Sequence, residues 1–574
     1  MYSANNTCGG RSLHFWKNQV NMSNEVETFI QQDDLFKERM GCIYEGGLRY
    51  AWAMEYDNKN AEALYKVKVE PENAQDVIVV GAGISGLVIA YELAQIGHNV
   101  TILELQNRVG GRIKTFYHGF ADGQHADGGA MRLPPNHFLT HYYCKHFGIE
   151  LRRFQNYQQN AYMYLYGDKI KMGDFYARNE YYSDKYWKGW DETLLKGSSD
   201  VKGKLKINGI HDYFDQTIKP VMIELGQYPT EEDWTRWVEK WSKFSTEDFL
   251  RSETYSRPDK LKLQPWPEIA IDGHKVSSYS PNISGSLVET LRDILGGWWR
   301  DKLQTPKDGM SALPNAFLHK NAHGWNLDVE LRNKVVYGFK VQSITKEPKL
   351  NVSGTNVITG KAVKYQCDAV FVTVPLNILR QIDIPFLCKE KRQAIAGVTY
   401  DTGTKIMLQC KERFWQKDVG KGGFSKTSDL IGQLHYPDDD KSDIPDYERG
   451  ILMVYSWAQD ALALGSQSHE EAIATAVSEI SKIHPEMKDW FEVGKVQAWY
   501  SDPAAQGGYA ALKPYEYLQH LQSLWKSEHP LYLAGEAISW SNAWIQGALF
   551  SGLSQAFAFQ CRMEGVKECQ PWKC

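Results

Sequence analysis

The sequence predicts an α/β fold built around a parallel β-sheet, and three observations between residues 76 and 112 predict it. Val77–Val80 is a short apolar run that ends at a glycine, as a buried parallel strand does. The glycine-rich loop 81–86, GAGISG, then leads into a segment with helical apolar spacing. A second strand, Asn99–Leu103, is followed directly by Glu104. This order, in which a strand is followed by a glycine turn, a helix, a second strand and an acidic residue, is typical of a Rossmann-like βαβ unit.

The glycine loop predicts a binding site for the pyrophosphate of a dinucleotide. Its glycines let the backbone approach the phosphates, and the helix that follows offers N–H groups and the positive end of its dipole. Glu104 stands 18 residues after Gly86, where a carboxylate can accept a hydrogen bond from a ribose hydroxyl and disfavours a 2′-phosphate. A structural βαβ turn without phosphate is the alternative. The predicted cofactor-binding residues of this unit are Gly81, Gly83, Ile84, Ser85, Gly86 and Glu104.

A second glycine motif, RVGGR at residues 108–112, follows at once. Nicotinamide enzymes do not need this run, whereas two glycines flanked by arginines give a second phosphate contact, which suits FAD. With this run the chain resembles the flavin amine oxidase family, whose flavin-binding segment has the same glycine loop, terminal glutamate and RxGGR run. The resemblance implies that Arg108, Gly111 and Arg112 bind FAD and that Val335 belongs to the same site.

The order of helical and strand patterns predicts a discontinuous FAD-binding domain of flavin amine oxidase type, with a mixed-sheet substrate domain and a helical insertion. After residue 300, strands are expected at Val329–Lys334, Lys340–Ile344, Asn356–Ile358 and Asp368–Val374. We expect an N-terminal extension, 1–70; an FAD-binding domain, 71–127, 306–400 and 525–561; a substrate-binding domain, 128–150 and 401–524; a helical domain, 151–305; and a C-terminal tail, 562–574.

Composition excludes several classes of protein. A net charge of −5 gives no electrostatic basis for binding nucleic acid or an anionic membrane. Nine cysteines without CxxC pairs or histidine clusters argue against a disulfide framework and against a zinc site, so no metal is expected. No signal peptide or membrane span is apparent, which favours a cytoplasmic, intracellular protein. The high aromatic content of 13% is attributed to a large core in preference to an aromatic substrate.

The run from Gly535 to Ala548 resembles the C-terminal flavin motif of the same family. The resemblance implies that Glu536 holds the flavin's ribitol and that Trp544 and Ile545 contact the flavin where a helix begins. The positive end of that helix would stabilise the anion that forms on reduction. Ala543 stands where the family commonly has glycine. Its backbone carbonyl can still orient a substrate amine, although Asn542 replaces the family's histidine.

The run Asp127–Pro134, DGGAMRLP, distinguishes subfamilies. It resembles the GAMR run of L-amino acid oxidases, in which the arginine binds the substrate carboxylate. Arg132 suits that role because its planar guanidinium pairs with a carboxylate bidentately and stays charged. A structural ion pair is the alternative for Arg132. The resemblance also assigns the neighbouring residues Gly129, Ala130 and Met131, together with Arg132, to the cofactor site.

Four further residues complete the predicted site. Lys405 matches the family's lysine that holds a water at flavin N5, and a lysine among apolar strand residues is costly to bury without a partner. Tyr436 stands where the family has a tyrosine that shares the carboxylate with the arginine, although a core role is open. Trp457 and Tyr509 are candidates for lining the side-chain pocket. The predicted catalytic residues are therefore Lys405, Arg132 and Tyr436, and the predicted substrate-binding residues are Arg132, Tyr436, Ala543, Trp457 and Tyr509.

The resemblance implies an FAD-dependent L-amino acid oxidase. Hydride transfer to flavin N5 would give an imino acid, hydrolysed to a 2-oxo acid and ammonia, and O2 would reoxidise the flavin to give hydrogen peroxide. An amino-acid 2-monooxygenase, a polyamine or monoamine oxidase, and a non-catalytic flavoprotein are the alternatives. Because no cysteine lies between Cys410 and Cys561, FAD is expected to be non-covalent.

The expected partners are an amino acid and O2, and the expected assembly is a homo-oligomer, either a dimer or a tetramer. The side-chain preference is open. Glu289 and Asp293 could contact a basic substrate or could lie on a solvated helix face.

Overall fold

The computed structural model describes residues 69–135, 137–193, 207–225, 231–252, 255–256, 262–263, 265–278, 283–295, 302–319, 330–438 and 447–563. The predicted N-terminal extension, apart from residues 69 and 70, and most of the predicted C-terminal tail lie outside these residues.

The strands of the described residues run as follows in chain order: β1 Asp76–Val80, β2 Asn99–Leu103, β3 Thr115–Phe116, β4 Ala126–Asp127, β5 Leu151–Arg153, β6 Tyr162–Leu165, β7 Asp168–Lys171, β8 Tyr255–Ser256, β9 Lys262–Leu263, β10 Gln304–Pro306, β11 Val335–Val336, β12 Phe339–Thr345, β13 Leu350–Asn356, β14 Ala362–Cys367, β15 Ala369–Val372, β16 Tyr400–Asp401, β17 Gly403–Cys410, β18 Phe424–Thr427, β19 Gln433–His435, β20 Gly450–Trp457, β21 Phe491–Ala498, β22 Tyr509–Ala510 and β23 Leu531–Leu533.

The α-helices of the described residues are α1 Ile84–Gln95, α2 Phe138–His146, α3 Met172–Ala177, α4 Asn179–Tyr186, α5 Ile210–Glu224, α6 Glu231–Trp241, α7 Thr246–Arg251, α8 Glu268–Ser277, α9 Leu287–Leu295, α10 Ala312–His319, α11 Leu376–Leu379, α12 Lys389–Gly397, α13 Ala458–Gly465, α14 His469–Ile483, α15 Met487–Trp490, α16 Gln522–Trp525 and α17 Ile545–Met563.

The first large sheet is parallel and has five strands in the order β11-β2-β1-β15-β23. Its strands come from three distant parts of the chain, and β1 is paired with both β2 and β15 along its length. The inner strands are almost continuously apolar because helices cover both faces of such a sheet. The carboxyl ends of β1, β2, β15 and β23 therefore open on one edge of the sheet, which is where α/β folds bind ligands.

The second large sheet has seven strands in the order β21-β17-β20-β19-β18-β6-β7 and is mostly antiparallel, with β18 and β6 as its parallel pair. One face packs on α14 through a core that contains Ile406, Leu434, Val454 and Ile480. Two of its strands, β6 and β7, come from residues that the sequence analysis assigned to the helical domain. The mixed sheet therefore extends beyond the boundaries expected for the substrate-binding domain.

The helical segment, with α3 to α9, is organised around buried aromatic side chains. Trp187, Trp190, Tyr213 and Trp266 lie in one core cluster with apolar residues of α5 and α9. The rings of Tyr213 and Trp266 stack with centroids 4.1 Å apart. These contacts place much of the chain's high aromatic content in the core, as expected.

Two strand predictions are wrong in detail. Leu331–Lys334 forms a 3₁₀ turn, and the strand begins only at Val335, where Val335 and Val336 pair with β2. Residue 329 of the predicted strand lies outside the described residues. Residues 357 and 358 lie in the turn between β13 and β14, because Asn356 ends β13 and its carboxamide accepts hydrogen bonds from the amides of Ile358 and Thr359.

No helix among the described residues is long and apolar enough to cross a membrane. Four of the described cysteines are free thiols, namely Cys144, Cys367, Cys388 and Cys410. Cys561 is disulfide-bonded, which the sequence reasoning did not predict. The compartment and the assembly state stay predictions.

Candidate active site

A cavity of about 1260 Å³ lies at the carboxyl edge of the parallel sheet. It exceeds the range of about 300–1,000 Å³ that is usual for a single drug-sized ligand. Its wall combines three parts of the fold: the strand ends and glycine loop of the parallel sheet, the face of the mixed sheet opposite α14, and the helical segment. The cavity can therefore accommodate a dinucleotide and a second, smaller ligand.

The glycine loop forms one end of the cavity. Gly83 is the N-cap residue of α1, and no side chain accepts a hydrogen bond from the first N–H groups of this helix. These N–H groups therefore face the cavity uncapped. A Cβ atom added to Gly83 would meet nothing within 4 Å, which leaves space for a ligand against the backbone. Ser85 also lines the cavity, and its buried hydroxyl has no hydrogen-bond partner among the described residues. An anionic group such as a pyrophosphate fits these donors.

Gly86 has a different role from the other loop glycines. It does not line the cavity; a Cβ atom there would lie 2.1 Å from the carbonyl oxygen of Gly81 and 2.7 Å from the hydroxyl of Thr373. The residue is therefore needed for close packing of α1 on the sheet. Gly81 and Ile84, by contrast, are part of the cavity wall.

Glu104 lies at the carboxyl end of β2 and lines the cavity. Its carboxylate accepts hydrogen bonds from the backbone N–H groups of Ala82, at 2.7 Å, and Gln106, at 2.8 Å. Burial raises the pKa of Glu104, and these two hydrogen bonds oppose the rise. The carboxylate thus joins the glycine loop to β2 and keeps lone pairs available for a hydroxyl ligand.

The RVGGR run folds back on the glycine loop. The amide of Gly110 donates to the carbonyl of Ala82 at 2.8 Å, and Gly110 has a φ of +103°, which favours glycine. The guanidinium of Arg108 donates to the carbonyls of Gly111 and Ile113. Arg108 and Gly111 both line the cavity, so this arginine stabilises the loop and also faces the cofactor space.

Arg112 connects this loop to the C-terminal motif. Its guanidinium forms a 2.7 Å salt bridge with Glu536, and both residues line the cavity. The other carboxylate oxygen of Glu536 accepts the backbone N–H of Ala543 at 2.7 Å. Ala543 has a φ of +69°, an uncommon value for a residue with a Cβ atom, and lies two residues before the start of α17. Glu536 thereby fixes the backbone turn at Ala543.

Most other predicted cofactor residues lie on the same cavity. Gly129, Ala130, Met131, Trp544 and Ile545 all line it. Val335 is not among the described lining residues; it lies on the edge strand β11, where it pairs with Ile102. Val335 is therefore not part of the wall of this cavity, and its contact with a cofactor stays a prediction.

Arg132 lines the cavity and is only 7% exposed. Its guanidinium donates to the side-chain carbonyl of Asn156 at 3.2 Å. Its charge acts on buried groups of the mixed sheet: it lowers the pKa of His435 and of Lys405, in each case after the larger effect of burial. Arg132 therefore provides positive charge at the part of the cavity next to the mixed sheet.

Lys405 lies behind the cavity wall. Its ammonium donates to the carbonyl of Gly129 at 2.6 Å and of Asp127 at 3.2 Å, and it contacts the sulfur of Met131 at 3.0 Å. Burial lowers the pKa of Lys405 to about 7. Lys405 is not itself a described lining residue, so the water that it was predicted to hold stays a prediction.

Tyr436 does not lie at the cavity, contrary to prediction. Its hydroxyl is hydrogen-bonded to Ser425 at 2.6 Å and to His484 at 2.8 Å, within the core under α14. Side chains alternate along a strand, so Tyr436 shares the core face of Leu434 while His435 lies on the other face. The prediction that Tyr436 shares a carboxylate with Arg132 is therefore corrected.

Tyr455, which the sequence analysis did not single out, belongs to the cavity wall. It lines the cavity beside Trp457, with ring centroids 4.0 Å apart, and the ammonium of Lys405 lies 4.6 Å from its ring. Burial raises the pKa of Tyr455 and the charge of Arg132 opposes this rise, so the phenol lies within the electrostatic reach of the arginine. The sequence did contain a signal for Tyr455. It lies two residues before Trp457, and residues two apart on a strand share a face.

Trp457 and Tyr509 both line the cavity, and their contact with a substrate side chain stays a prediction. The hydroxyl of Tyr509 donates to Asp401 at 3.3 Å. Together with Tyr455 and Trp544, these residues give the cavity an aromatic wall. Such a wall excludes water from a small ligand.

The helical segment contributes charged residues. Glu289, Arg292 and Asp293 of α9 line the cavity, so the hypothesis of a solvated helix face is wrong. Asn542 links this helix to the turn before α17: its amide donates to Glu289 and to the carbonyl of Ala510, and its carbonyl accepts from Arg292. Asn542 is completely buried at the centre of this network.

No cluster of three or more metal-ligating side chains occurs among the described residues.

The chain is similar to known proteins over most of its length. A family model for flavin containing amine oxidoreductases matches residues 84–558. The chain is 28% identical over 496 residues to an L-amino acid oxidase of Cerastes cerastes, covering 85% of this chain and 87% of the relative. It is 28% identical over 498 residues to a putative L-amino-acid oxidase of Bacillus subtilis, covering 85% of this chain and 95% of the relative.

A solved structure with the same fold is wild-type putrescine oxidase bound to putrescine. It superimposes with a TM-score of 0.62 at 17% identity and covers 85% of this chain and 99% of that chain.

Proposed function

The chain belongs to the flavin-containing amine oxidoreductase family, and from this premise we propose that it is an FAD-dependent L-amino acid oxidase. The proposed reaction converts an L-amino acid and O2 into a 2-oxo acid, ammonia and hydrogen peroxide. The observation that carries this proposal is the position of Arg132, a buried cation in the wall of the cofactor cavity. The similarity to two L-amino acid oxidases over most of the chain supports it.

FAD is the cofactor of this family, and the cavity fits it. The orphan hydroxyl of Ser85, the open backbone at Gly83 and the uncapped start of α1 suit a pyrophosphate, while Glu104 suits a ribose hydroxyl. We propose non-covalent binding, since no described cysteine lines the cavity. When bound, FAD supplies the hydride acceptor and passes the electrons to O2.

Arg132 would bind the substrate carboxylate, and Tyr455 would add a hydrogen bond from its hydroxyl. A guanidinium offers two parallel donors to a carboxylate, so one contact sets both position and orientation. A cation at this point would repel a simple amine substrate. The carboxylate is therefore the feature that selects an amino acid over an amine.

Ala543 would orient the substrate amine through its backbone carbonyl. Its left-handed backbone conformation is maintained by the hydrogen bond from its amide to Glu536. The aromatic residues Tyr455, Trp457 and Tyr509 exclude water around the Cα–H bond that is broken. Fixing carboxylate and amine at two points leaves the Cα hydrogen in one orientation, which is how positioning contributes to the rate.

The proposal is tested by Arg132→Met, with Arg132→Lys as the matched variant that keeps the charge. We expect kcat/KM for L-amino acids to fall about 100-fold or more in Arg132→Met, since removing one partner of a buried ion pair costs about 3–5 kcal/mol. Arg132→Lys should be intermediate, because lysine lacks the bidentate fork. The spectrum of bound FAD controls for folding. An unchanged KM in Arg132→Met would contradict the proposed carboxylate contact.

Two alternatives differ in product or substrate. An amino-acid 2-monooxygenase would release an amide in place of a 2-oxo acid, so trapping the product separates it from an oxidase. A polyamine or monoamine oxidase would turn over amines that lack a carboxylate. Arg132 disfavours the second alternative because it places positive charge in the wall of the cavity.

A further inference from the structure

The role proposed for the cavity leaves one of its charged groups unused, namely the carboxylate of Glu289. This side chain lines the cavity from α9 and accepts a hydrogen bond from the amide of Asn542. No lysine or arginine among the described residues forms a salt bridge with it. An anion that is partly withdrawn from water without a cationic partner is costly to the folded protein. Glu289 is therefore placed to receive a cation from a ligand.

Arg292 is close to Glu289, but its guanidinium donates its hydrogen bonds to other groups. Its guanidinium forms a salt bridge with Asp293 at 2.8 Å and donates to the carbonyl of Trp540 at 2.7 Å and to Asn542. Arg292 and Asp293 therefore neutralise each other. When Glu289 is ionised, its negative charge is therefore the excess charge of this part of the cavity.

Two buried histidines extend the same wall and carry no charge at neutral pH. His274 and His211 line the cavity, and burial lowers the pKa of His274 to about 3 and of His211 to about 4. His274 is 5% exposed, and its Nδ1 has no hydrogen-bond partner among the described residues; the same holds for Nε2 of His211. Neutral imidazoles do not repel a cation, and their unprotonated nitrogens accept hydrogen bonds from one.

The cavity thus has two electrostatically distinct parts. The charge of Arg132 acts on Lys405 and His435, whereas the charges acting on Glu289 are those of Arg292 and Asp293 on its own helix and of Glu536 after β23. A ligand that satisfies both parts carries a carboxylate at one end and a cation at the other.

We propose that Glu289 binds the cationic end of the substrate's side chain, so that the enzyme oxidises basic L-amino acids of the lysine, ornithine or arginine type. This inference rests on the proposed amino acid oxidase function. An α-amine is an unsuitable partner for Glu289, because it must be neutral to donate a hydride from the adjacent carbon and is assigned to the carbonyl of Ala543. The network around Asn542, which is completely buried, holds the Glu289 carboxylate in place before the substrate arrives.

The proposal has a pH signature with a defined sign. Burial raises the pKa of Glu289 to about 8; Arg292 and the hydrogen bond from Asn542 oppose the rise, and Asp293 and Glu536 add to it. The free enzyme gains the anionic form as the pH rises through that value. The distal amine of lysine, with an ordinary pKa of about 10.4, stays charged over this range. Selectivity for lysine should therefore increase with pH up to about 8 and then level off.

The test compares L-lysine with L-norleucine, which has the same carbon chain without the distal amine. In the holoenzyme, the ratio of kcat/KM for lysine to that for norleucine should rise about tenfold between pH 6.5 and 8.5. In Glu289→Gln, the ratio should fall about 10- to 100-fold at pH 8.5 and lose its pH dependence. Glu268→Gln, on the exposed start of α8 and paired with Arg251, is the matched control and should leave the ratio unchanged.

The outcomes separate the two proposals. A ratio that is flat with pH in the unmodified enzyme overturns the role of Glu289, and this measurement does not depend on a variant that folds. Equal losses on lysine and norleucine in Glu289→Gln also overturn it, because they indicate a role at the shared α-amine. If norleucine is oxidised, the amino acid oxidase function stands whatever the ratio. If no L-amino acid is oxidised, both proposals fail.

Discussion

At the scale of single residues, burial controls the charge of the side chains around the cavity, and Lys405 shows this clearly. Its pKa in the folded protein is about 7, because desolvation outweighs the attraction of the Asp127 carboxylate. In the unfolded chain a lysine has a pKa of about 10.4. Between these two values the unfolded chain holds a proton that the folded protein lacks, so stability rises with pH across this interval.

Lys405→Met tests this effect. The free energy of unfolding of the unmodified protein, relative to that of the variant, should grow between pH 7 and 10 by up to about 1.4 kcal/mol per pH unit. Urea unfolding of the holoprotein at pH 7, 8.5 and 10 measures it. Parallel pH profiles of the two proteins would show that Lys405 is charged in the folded state.

At the scale of secondary structure, the alternation of side chains on the mixed sheet separates two tyrosines that look equivalent in the sequence. Tyr455→Phe should raise KM for L-amino acids several-fold, because its hydroxyl is proposed to contact the carboxylate. Tyr436→Phe should leave KM unchanged and lower stability by about 1–3 kcal/mol, since Ser425 and His484 lose a buried partner. Steady-state kinetics and thermal unfolding of both variants measure these effects. If Tyr436→Phe raised KM and Tyr455→Phe did not, Tyr436 would be the tyrosine that contacts the carboxylate.

The glycine loop between β1 and α1 provides another pair of matched variants, Gly83→Ala and Gly86→Ala. Gly83→Ala should fold normally, since its added Cβ meets nothing within 4 Å, but should bind FAD at least about tenfold more weakly because the methyl group enters the phosphate space. Gly86→Ala should lose stability as well, because its Cβ would lie 2.1 Å from the Gly81 carbonyl oxygen. Reconstitution with FAD and thermal unfolding distinguish the two. Undiminished FAD affinity in Gly83→Ala would place the pyrophosphate elsewhere.

The elements that could be predicted from sequence are those whose partners are close along the chain. The unit from β1 to Glu104 was predicted because strand, glycine turn, helix and acid follow one another within 30 residues. The sequence analysis placed Tyr436 at the cavity, whereas it lies in the core. Neighbouring residues on a strand face opposite sides, so an error of one residue exchanges the core face for the cavity face. The direction in which Glu289 faces depends on how α9 packs on distant segments, and helical spacing alone does not determine that.

At the scale of the whole molecule, the candidate active-site cavity forms where distant parts of the chain meet. The parallel sheet supplies the end with the glycine loop from three separate segments. The mixed sheet supplies Tyr455 and Trp457 of the aromatic wall, and the helical segment supplies Glu289. The sequence motifs predicted the first part well. The strands β6 and β7 and the inward face of α9 had no comparable motif, because their positions depend on long-range packing.

The most direct test of the oxidase proposal is anaerobic reduction of the bound flavin by a matched pair of compounds. L-norleucine and pentylamine differ only in the carboxylate that Arg132 is proposed to bind. We expect L-norleucine to bleach the flavin absorbance, pentylamine to leave it largely unchanged, and readmitted O2 to yield hydrogen peroxide and the 2-oxo acid. Equal or faster bleaching by pentylamine, or no bleaching by any L-amino acid, would contradict the account.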